Sequence, residues 1–132
     1  MEMRARYKRI DVPIYCSEVF VTNDTTTCTA LAKRHCKVEV DPESYLANGL
    51  VVCSRDAQVV WLPKQAGART VAHECAHAVL NLCHYKDIII DTNNQEPFTY
   101  LMGYMFYEIN KAREALDNDN QYNAHRFRGS KS

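Results

Sequence analysis

The stretch ARTVAHECAHAVLNLCHY, residues 68–85, decides the fold, and its centre at residues 73–77 is an HExxH pattern. Apolar residues recur through this stretch and no proline or glycine interrupts it, so it predicts one helix. Residues four apart lie on one face of a helix, so His73 and His77 can direct two imidazoles at one metal ion. Glu74, beside His73, is then placed to act on water at that ion. The pattern is typical of a zinc site whose glutamate is the general base.

A catalytic zinc usually has three protein ligands and one open position, so the pattern calls for a third ligand. Glu96 is the candidate we favour, because it begins a second predicted helix, residues 96–116, after a long connection that can return the chain to the first helix. Asp91 is close in sequence and remains an alternative. His84 lies seven residues beyond His77, about two turns along the same helix, which is too far to share one ion.

Four residues of the second predicted helix follow one another at spacings of four, three and four: Glu96, Tyr100, Gly103 and Tyr107. Such spacing puts them on one stripe of the helix. A glycine inside a helix costs about 1 kcal/mol against alanine, so Gly103 predicts a close approach to the HExxH helix. Tyr100, with Tyr104 and Tyr107 as alternatives, is a candidate hydrogen-bond donor to an oxyanion; the other reading is ordinary packing.

The chain before the HExxH helix predicts a small, mostly antiparallel sheet. A strand next to the HExxH helix would matter for function, because an unpaired edge can bind an extended peptide by adding it to the sheet. We therefore expect the strand that directly precedes the helix to present substrate to the metal. The predicted elements are a strand at 11–22, a short helix at 25–37 capped by Asp24 or a threonine, a short strand at 37–41, one helical turn at 42–49 and a hairpin of strands at 50–54 and 57–62.

Composition limits the classes of partner. The 132 residues carry 16 basic and 16 acidic side chains, so no overall basic excess favours nucleic-acid binding. No apolar run reaches the roughly 20 residues that cross a bilayer, and no apolar segment follows the N-terminal charges as in a signal peptide. The six cysteines form no CxxC pair, which favours reduced thiols and a cytoplasmic location. Length predicts one domain over residues 1–116, with a polar, flexible tail over 117–132.

The HECAH sequence followed by EPFTYLMGYMFYEI resembles the gluzincin arrangement, in which a glutamate on a following helix joins the HExxH histidines. Over residues 57–112 the chain is similar to short phage-encoded metallopeptidases and, more distantly, to minimal ImmA/IrrE-like zinc proteases. The resemblance implies a zincin-like α+β fold, with Zn²⁺ bound by His73, His77 and Glu96. Tyr100 stands where some gluzincins have an aspartate that orients a ligand histidine, and its hydroxyl is the candidate replacement.

The function that follows is zinc-dependent peptide hydrolysis, with Glu74 as the general base and a peptide or protein as the substrate. By the resemblance, the protein acts in the cytoplasm of a host cell or is associated with a phage particle. The alternative is a non-catalytic zinc protein that is structural or takes part in the assembly of such a particle, with phage structural proteins as partners. The two differ in the fourth coordination position, which is open in an enzyme and filled by protein in a structural site.

Overall fold

A computed structural model describes the backbone of residues 6–129 and the side chains of residues 6–119. This part of the chain is α+β, with one four-stranded sheet and three α-helices. The strands are β1 (Tyr7–Val12), β2 (Ser17–Thr22), β3 (Leu50–Cys53) and β4 (Ala57–Trp61). The α-helices are α1 (Thr25–Leu31), α2 (Ala68–Tyr85) and α3 (Glu96–Gly129). A π-helical segment at Ala32–Cys36 and a 3-10 helix at Pro42–Leu46 lie between α1 and β3.

The sheet is mixed, in the order β1-β2-β4-β3. β1 pairs with β2 and β3 pairs with β4 in antiparallel hairpins, while β2 and β4 run parallel at the centre, with Phe20 opposite Val59. β4, the strand that precedes α2, is therefore paired on both sides, and the expectation that it offers an unpaired edge is wrong. Among the described residues the edges are β1 and β3, so β3 is the edge strand next to β4.

The structure corrects two predictions for the segment of the chain that precedes β3. Residues 11–22 are not one strand, because the chain turns between Val12 and Ser17; Ile14 and Cys16 have φ of 75° and 51°, which ends the extended run. Residues 37–41 form no strand, because Lys37 closes the π-helical segment in the left-handed conformation and Pro42 starts the 3-10 helix. The short helix and its cap are confirmed, since the Asp24 carboxylate accepts the Thr27 N–H at 2.9 Å.

Both faces of the sheet are covered, which explains why all five residues of β4 are buried. Side chains alternate between the faces of a strand. Val60 belongs to the core that α2 and α3 form on one face, and Val59 and Trp61 belong to a smaller core under α1 on the other. The strand at 57–62 is therefore an uninterrupted apolar run apart from Gln58, which is buried as well.

α3 begins at Glu96 as predicted but continues to Gly129 instead of ending at residue 116. Its core-facing stripe comprises Leu101, Met105, Ile109, Ala112 and Leu116. Packing extends one residue further, because the Asp117 carboxylate accepts hydrogen bonds from the Gln65 N–H at 3.1 Å and the Asn23 amide at 3.0 Å. Residues 117–129 of the predicted tail are thus helical, while residues 130–132 lie outside the described part. No helix of the described chain is long and apolar enough to cross a bilayer.

Candidate metal centre

The exposed face of α2 presents His73 and His77 together. The helix spans residues 68–85 as predicted, and the two imidazole rings have centroids 4.8 Å apart with an interplanar angle of 76°. Two imidazoles that share a tetrahedral zinc at Zn–N distances of about 2.1 Å have centroids about 5 Å apart. Both rings are exposed, so neither is a buried residue of the core. The spacing and the exposure of this pair therefore fit a shared divalent cation.

A buried amide in β4 sets how α2 sits on the sheet. The Gln58 Nε2 donates to the Ala78 carbonyl oxygen at 2.8 Å, and its Oε1 accepts from the Asn81 amide at 3.3 Å. Gln58 is only 2% exposed, and a buried amide is stable only when its hydrogen bonds are satisfied. Because Ala78 follows His77, these bonds hold the helix at the turn that carries the histidine.

Glu74 points away from solvent, towards the side of the helix that faces β3. The residue is 6% exposed, and its Oε1 lies 4.0 Å from the His73 Nε2. Its Oε2 is buried and has no hydrogen-bond partner among the described residues. A buried carboxylate oxygen without a donor is costly, so this atom requires a donor such as water or substrate.

The residues that precede β3 form the other wall of the site. A cleft of about 350 Å³ lies between residues 47–49 and the N-terminal half of α2, where it is lined by Arg69, Thr70, His73 and Glu74. Gly49 is buried, and a Cβ at this position would lie 2.8 Å from the Glu74 Cγ and 3.0 Å from its Cδ. Real Cβ atoms do not approach other atoms so closely, so Gly49 is needed for Glu74 to occupy this position.

Glu96 lies at the first turn of α3 with its side chain exposed. Since α3 starts after the end of α2 and Asp117 contacts Gln65 before the start of α2, the two helices run antiparallel. Glu96 therefore lies towards the C-terminal end of α2, which is Tyr85. His77 precedes Tyr85 by eight residues, an axial distance of about 12 Å.

No three His, Cys, Asp or Glu side chains are grouped to hold a metal within residues 6–119. The structure thus pairs His73 with His77 and places Glu74 beside His73, but it brings no third ligand, Glu96 included, to the histidine pair. The side chain of Asp91, the alternative ligand, accepts the Asn93 N–H at 2.8 Å in a tight turn. The spacing of the two imidazoles is compatible with a shared zinc ion, while the metal itself and its third protein ligand stay predictions.

The stripe predicted to face the HExxH helix is wrong in its orientation. Gly103 is exposed, and a Cβ there would meet nothing within 4 Å, so no close helix contact explains this glycine. Tyr100 and Tyr107 are 69% and 63% exposed on the same side of α3. The core-facing residues Leu101 and Met105 belong to a neighbouring stripe of the helix. The spacing of these residues correctly predicted that they share one side of the helix, but it did not indicate whether that side faces the core or solvent.

The tyrosines differ in what they contact. The Tyr104 hydroxyl donates to the Asp11 carbonyl oxygen at 2.6 Å, on β1 at the far edge of the sheet from β3. Burial, with the charge of Glu108, raises the pKa of this hydroxyl, which keeps it a neutral donor. The Tyr107 ring lies 5.0 Å from the Lys111 ammonium. Tyr100, the catalytic candidate, stands exposed on the first turns of α3 and its assignment stays a prediction.

The cysteine inside the HExxH pattern belongs to the core. Cys75 is fully buried, and burial raises the pKa of its thiol to about 11, so it is a small apolar residue and not a thiolate ligand. All six cysteines are free thiols, as expected.

Three residues that shape the site were not identified from the sequence: Gly49, Gln58 and Arg69. A glycine before a strand and a glutamine inside one are common, and only the three-dimensional contacts give them a role. Arg69 did carry a signal, because it precedes His73 by four residues and therefore lies on the stripe that carries both histidines.

Comparison of the chain with protein-family models, with curated proteins and with solved structures finds no match.

Proposed function

We propose that this protein is a zinc-dependent peptide hydrolase in which Glu74 is the general base. The observation that carries the proposal is the Glu74 carboxylate, which is buried beside the exposed His73 and His77 pair and has an oxygen without a partner. A structural glutamate would be expected to satisfy both oxygens or to lie in solvent. A general base needs a free lone pair within reach of the proton that it takes.

In the proposed centre, His73 and His77 hold the zinc through neutral imidazoles. Glu96 is the proposed third ligand and Asp91 the alternative; either requires a different arrangement of the segment between α2 and α3. The chemistry that zinc supplies in such a site is Lewis acidity towards water and towards a peptide carbonyl. The zincin-like fold is part of this proposal.

The chain's own contribution is proton transfer and substrate positioning. The Glu74 Oε2 takes a proton from water as the water oxygen attacks the peptide carbonyl carbon, and the same carboxyl group then gives the proton to the leaving amine nitrogen. Close packing of Gly49 against Glu74 restricts the carboxylate to one position. The substrate backbone would pair with the free edge of β3, because that edge strand begins at the wall of the cleft.

Replacement of the base tests the proposal most directly. With zinc-loaded protein and a peptide library read by mass spectrometry, Glu74→Gln is expected to reduce kcat/KM by about 10²–10⁴-fold, because general-base catalysis is lost. Zinc content should stay the same, since Glu74 is not a ligand. Glu114→Gln, an exposed carboxylate on α3, is the matched control and should cleave like the wild type. Undiminished cleavage by Glu74→Gln, or no cleavage by the zinc-loaded wild type, contradicts the proposal.

A second candidate function is a zinc-containing assembly protein without catalysis, as the phage resemblance allows. The large exposed side chains of Ile89, Tyr100 and Tyr107 favour it, because exposed apolar surface often marks a contact with another protein. X-ray absorption spectroscopy of the zinc-loaded protein separates the two functions. A water oxygen among four ligands supports hydrolysis, and a fourth protein ligand supports the assembly role.

A further inference from the structure

The cleft beside Glu74 has a positively charged residue, Arg69, at one end. Its wall on α2 begins with Arg69, whose exposed side chain makes no ion pair or hydrogen bond with any described residue. Arg69 precedes His73 by one turn on the same stripe of the helix, and both residues line the cleft. Among the described residues, Arg9 and Arg113 by contrast each form ion pairs with carboxylates.

Two further features favour an anion at this end. The N-cap residue of α2, Gly67, provides no side-chain cap, and the first turn has no acidic residue, so the positive end of the helix dipole is not compensated there. Thr70, half-buried in the cleft wall, has a hydroxyl that makes no hydrogen bond to the described residues. Glu74 is the single acid among the described lining residues, and it lies at the other end of the wall, more than one turn from Arg69.

The size of the cleft sets the size of its ligand. Protein pockets for small ligands have volumes of about 300–1,000 Å³, and this cleft of about 350 Å³ is at the lower limit. It therefore accommodates one side chain or one chain terminus. A carboxylate fits Arg69 best, because the planar guanidinium can donate two parallel hydrogen bonds to its two oxygens.

We propose that this cleft is a carboxylate-binding subsite, in which Arg69 and the Thr70 hydroxyl hold an acidic group of a peptide next to the bond that Glu74 acts on. The class of substrate is thus a peptide with an anionic group beside the scissile bond. The group is either an Asp or Glu side chain or the terminal carboxylate of the peptide. The inference rests on the proposed hydrolase function, because only a hydrolase would use the bound peptide as a substrate. Binding of the carboxylate itself does not require hydrolysis.

Matched fluorescent peptides test the subsite by binding. The set differs at one position, with Glu, Gln or Lys, and each peptide is made with a free or an amidated C-terminus. Anisotropy is measured with zinc-loaded Glu74→Gln, which binds without cleaving, and with the same protein carrying Arg69→Gln in addition. An anionic group should tighten binding by about 10–100-fold, and Arg69→Gln should remove that preference. Arg55→Gln, an exposed arginine in the β3–β4 turn, should leave it unchanged.

Two further substitutions of Arg69 test the role of its charge. Arg69→Glu should reverse the preference so that the Lys peptide binds more tightly, and Arg69→Lys should keep part of the preference for the acid. The thermal unfolding of each variant is measured alongside, and an exposed side chain is expected to leave it near the wild-type value. A preference for the internal Glu identifies a side-chain subsite, and a preference for the free C-terminus identifies a terminal-carboxylate subsite.

The outcomes separate this inference from the proposed function. Cleavage without a preference for anionic peptides, or a preference that survives Arg69→Gln, overturns the subsite and leaves the hydrolase proposal standing. Binding of the carboxylate that depends on Arg69, in a protein that cleaves no peptide, supports the subsite and contradicts the hydrolase proposal. Equal binding of the Glu, Gln and Lys peptides, or no binding at all, also overturns the subsite.

Discussion

The two segments that supply the candidate zinc ligands differ in how the rest of the protein holds them. α2 packs on the sheet through buried residues on every turn, and Gln58 binds its backbone directly beside His77. The connection from Lys86 to Gln95 has exposed isoleucines at positions 89 and 90, and its hydrogen bonds are mostly local. The histidine pair is therefore fixed by the core, while the position of Glu96 depends on a segment with few long-range contacts.

The difference between the two segments shows that a sequence pattern predicts a site best when all of its residues lie on one element. The HExxH spacing acts within one helix, so the helix alone brings the two rings together. A ligand on the next helix depends on the length and conformation of the connection, which local periodicity does not encode. Variants on the two segments should therefore differ in their effects on zinc.

The largest effect is expected for the histidines. His73→Ala and His77→Ala each remove a proposed direct zinc ligand. Loss of a residue that only hydrogen-bonds to a ligand weakens metal binding by roughly 10–100-fold, so each histidine variant should weaken zinc binding by more than that. His84→Ala, an exposed histidine two turns along the same helix, is the control and should bind zinc like the wild type. Isothermal titration with a competing chelator measures the affinities. Equal affinity in His77→Ala and His84→Ala would remove the basis for a metal centre.

Glu96 tests the less firmly held segment. If it is the third ligand, Glu96→Gln should weaken zinc binding by more than the roughly 10–100-fold expected for an outer-sphere partner, but by less than the histidine variants, because the glutamine amide oxygen can still coordinate; Asp91→Asn should have little effect. The result is measured by the same competition titration. The reverse order of the two variants would assign the site to Asp91, and no effect in either would leave the histidine pair without a carboxylate ligand from this segment.

Gly49 tests how closely the Glu74 carboxylate, the proposed general base, is held, with a smaller expected effect. Gly49→Ala forces the Glu74 side chain to move, since its Cγ lies 2.8 Å from the new Cβ, and a displacement of this order can lower kcat by about 10²-fold. Gly103→Ala is the matched control, because its Cβ meets nothing within 4 Å. It should leave kcat unchanged and stabilise the fold by about 1 kcal/mol in urea unfolding. Unchanged kcat in Gly49→Ala would contradict the close packing of Gly49 on Glu74.

Much of the fold could be predicted from the sequence because its signals are local. The helix at 68–85, the Asp24 cap and the hairpin at 50–62 depend on periodicity, on a capping residue and on a short turn, which all lie within a few residues. The order of the strands could not be predicted, because the parallel pairing of β2 with β4 joins segments about 40 residues apart. The interrupted strand at 11–22 was missed because its turn uses Ile14 and Cys16, which are unusual residues for a positive φ.

The same limit applies to the site. The sequence predicted His73, Glu74 and His77 as site residues, and one helix carries all three. It gave no indication of Gly49 or Gln58, which reach the site from the sheet and act through contacts with the helix. The length of α3 was underestimated because the polar run after Leu116 reads as solvent-exposed, whereas Asp117 is anchored by Asn23 and Gln65 across the fold.

The parallel pairing at the centre of the sheet also has a consequence for how the protein assembles. Each outer pair, β1 with β2 and β3 with β4, closes through a short turn and can form early from neighbouring residues. The central pairing has to wait until the intervening 34 residues, 23–56, have been gathered, and closing so long a loop is slow. The histidine-bearing helix would therefore gain the surface on which it packs late in folding, after two separately formed hairpins have joined.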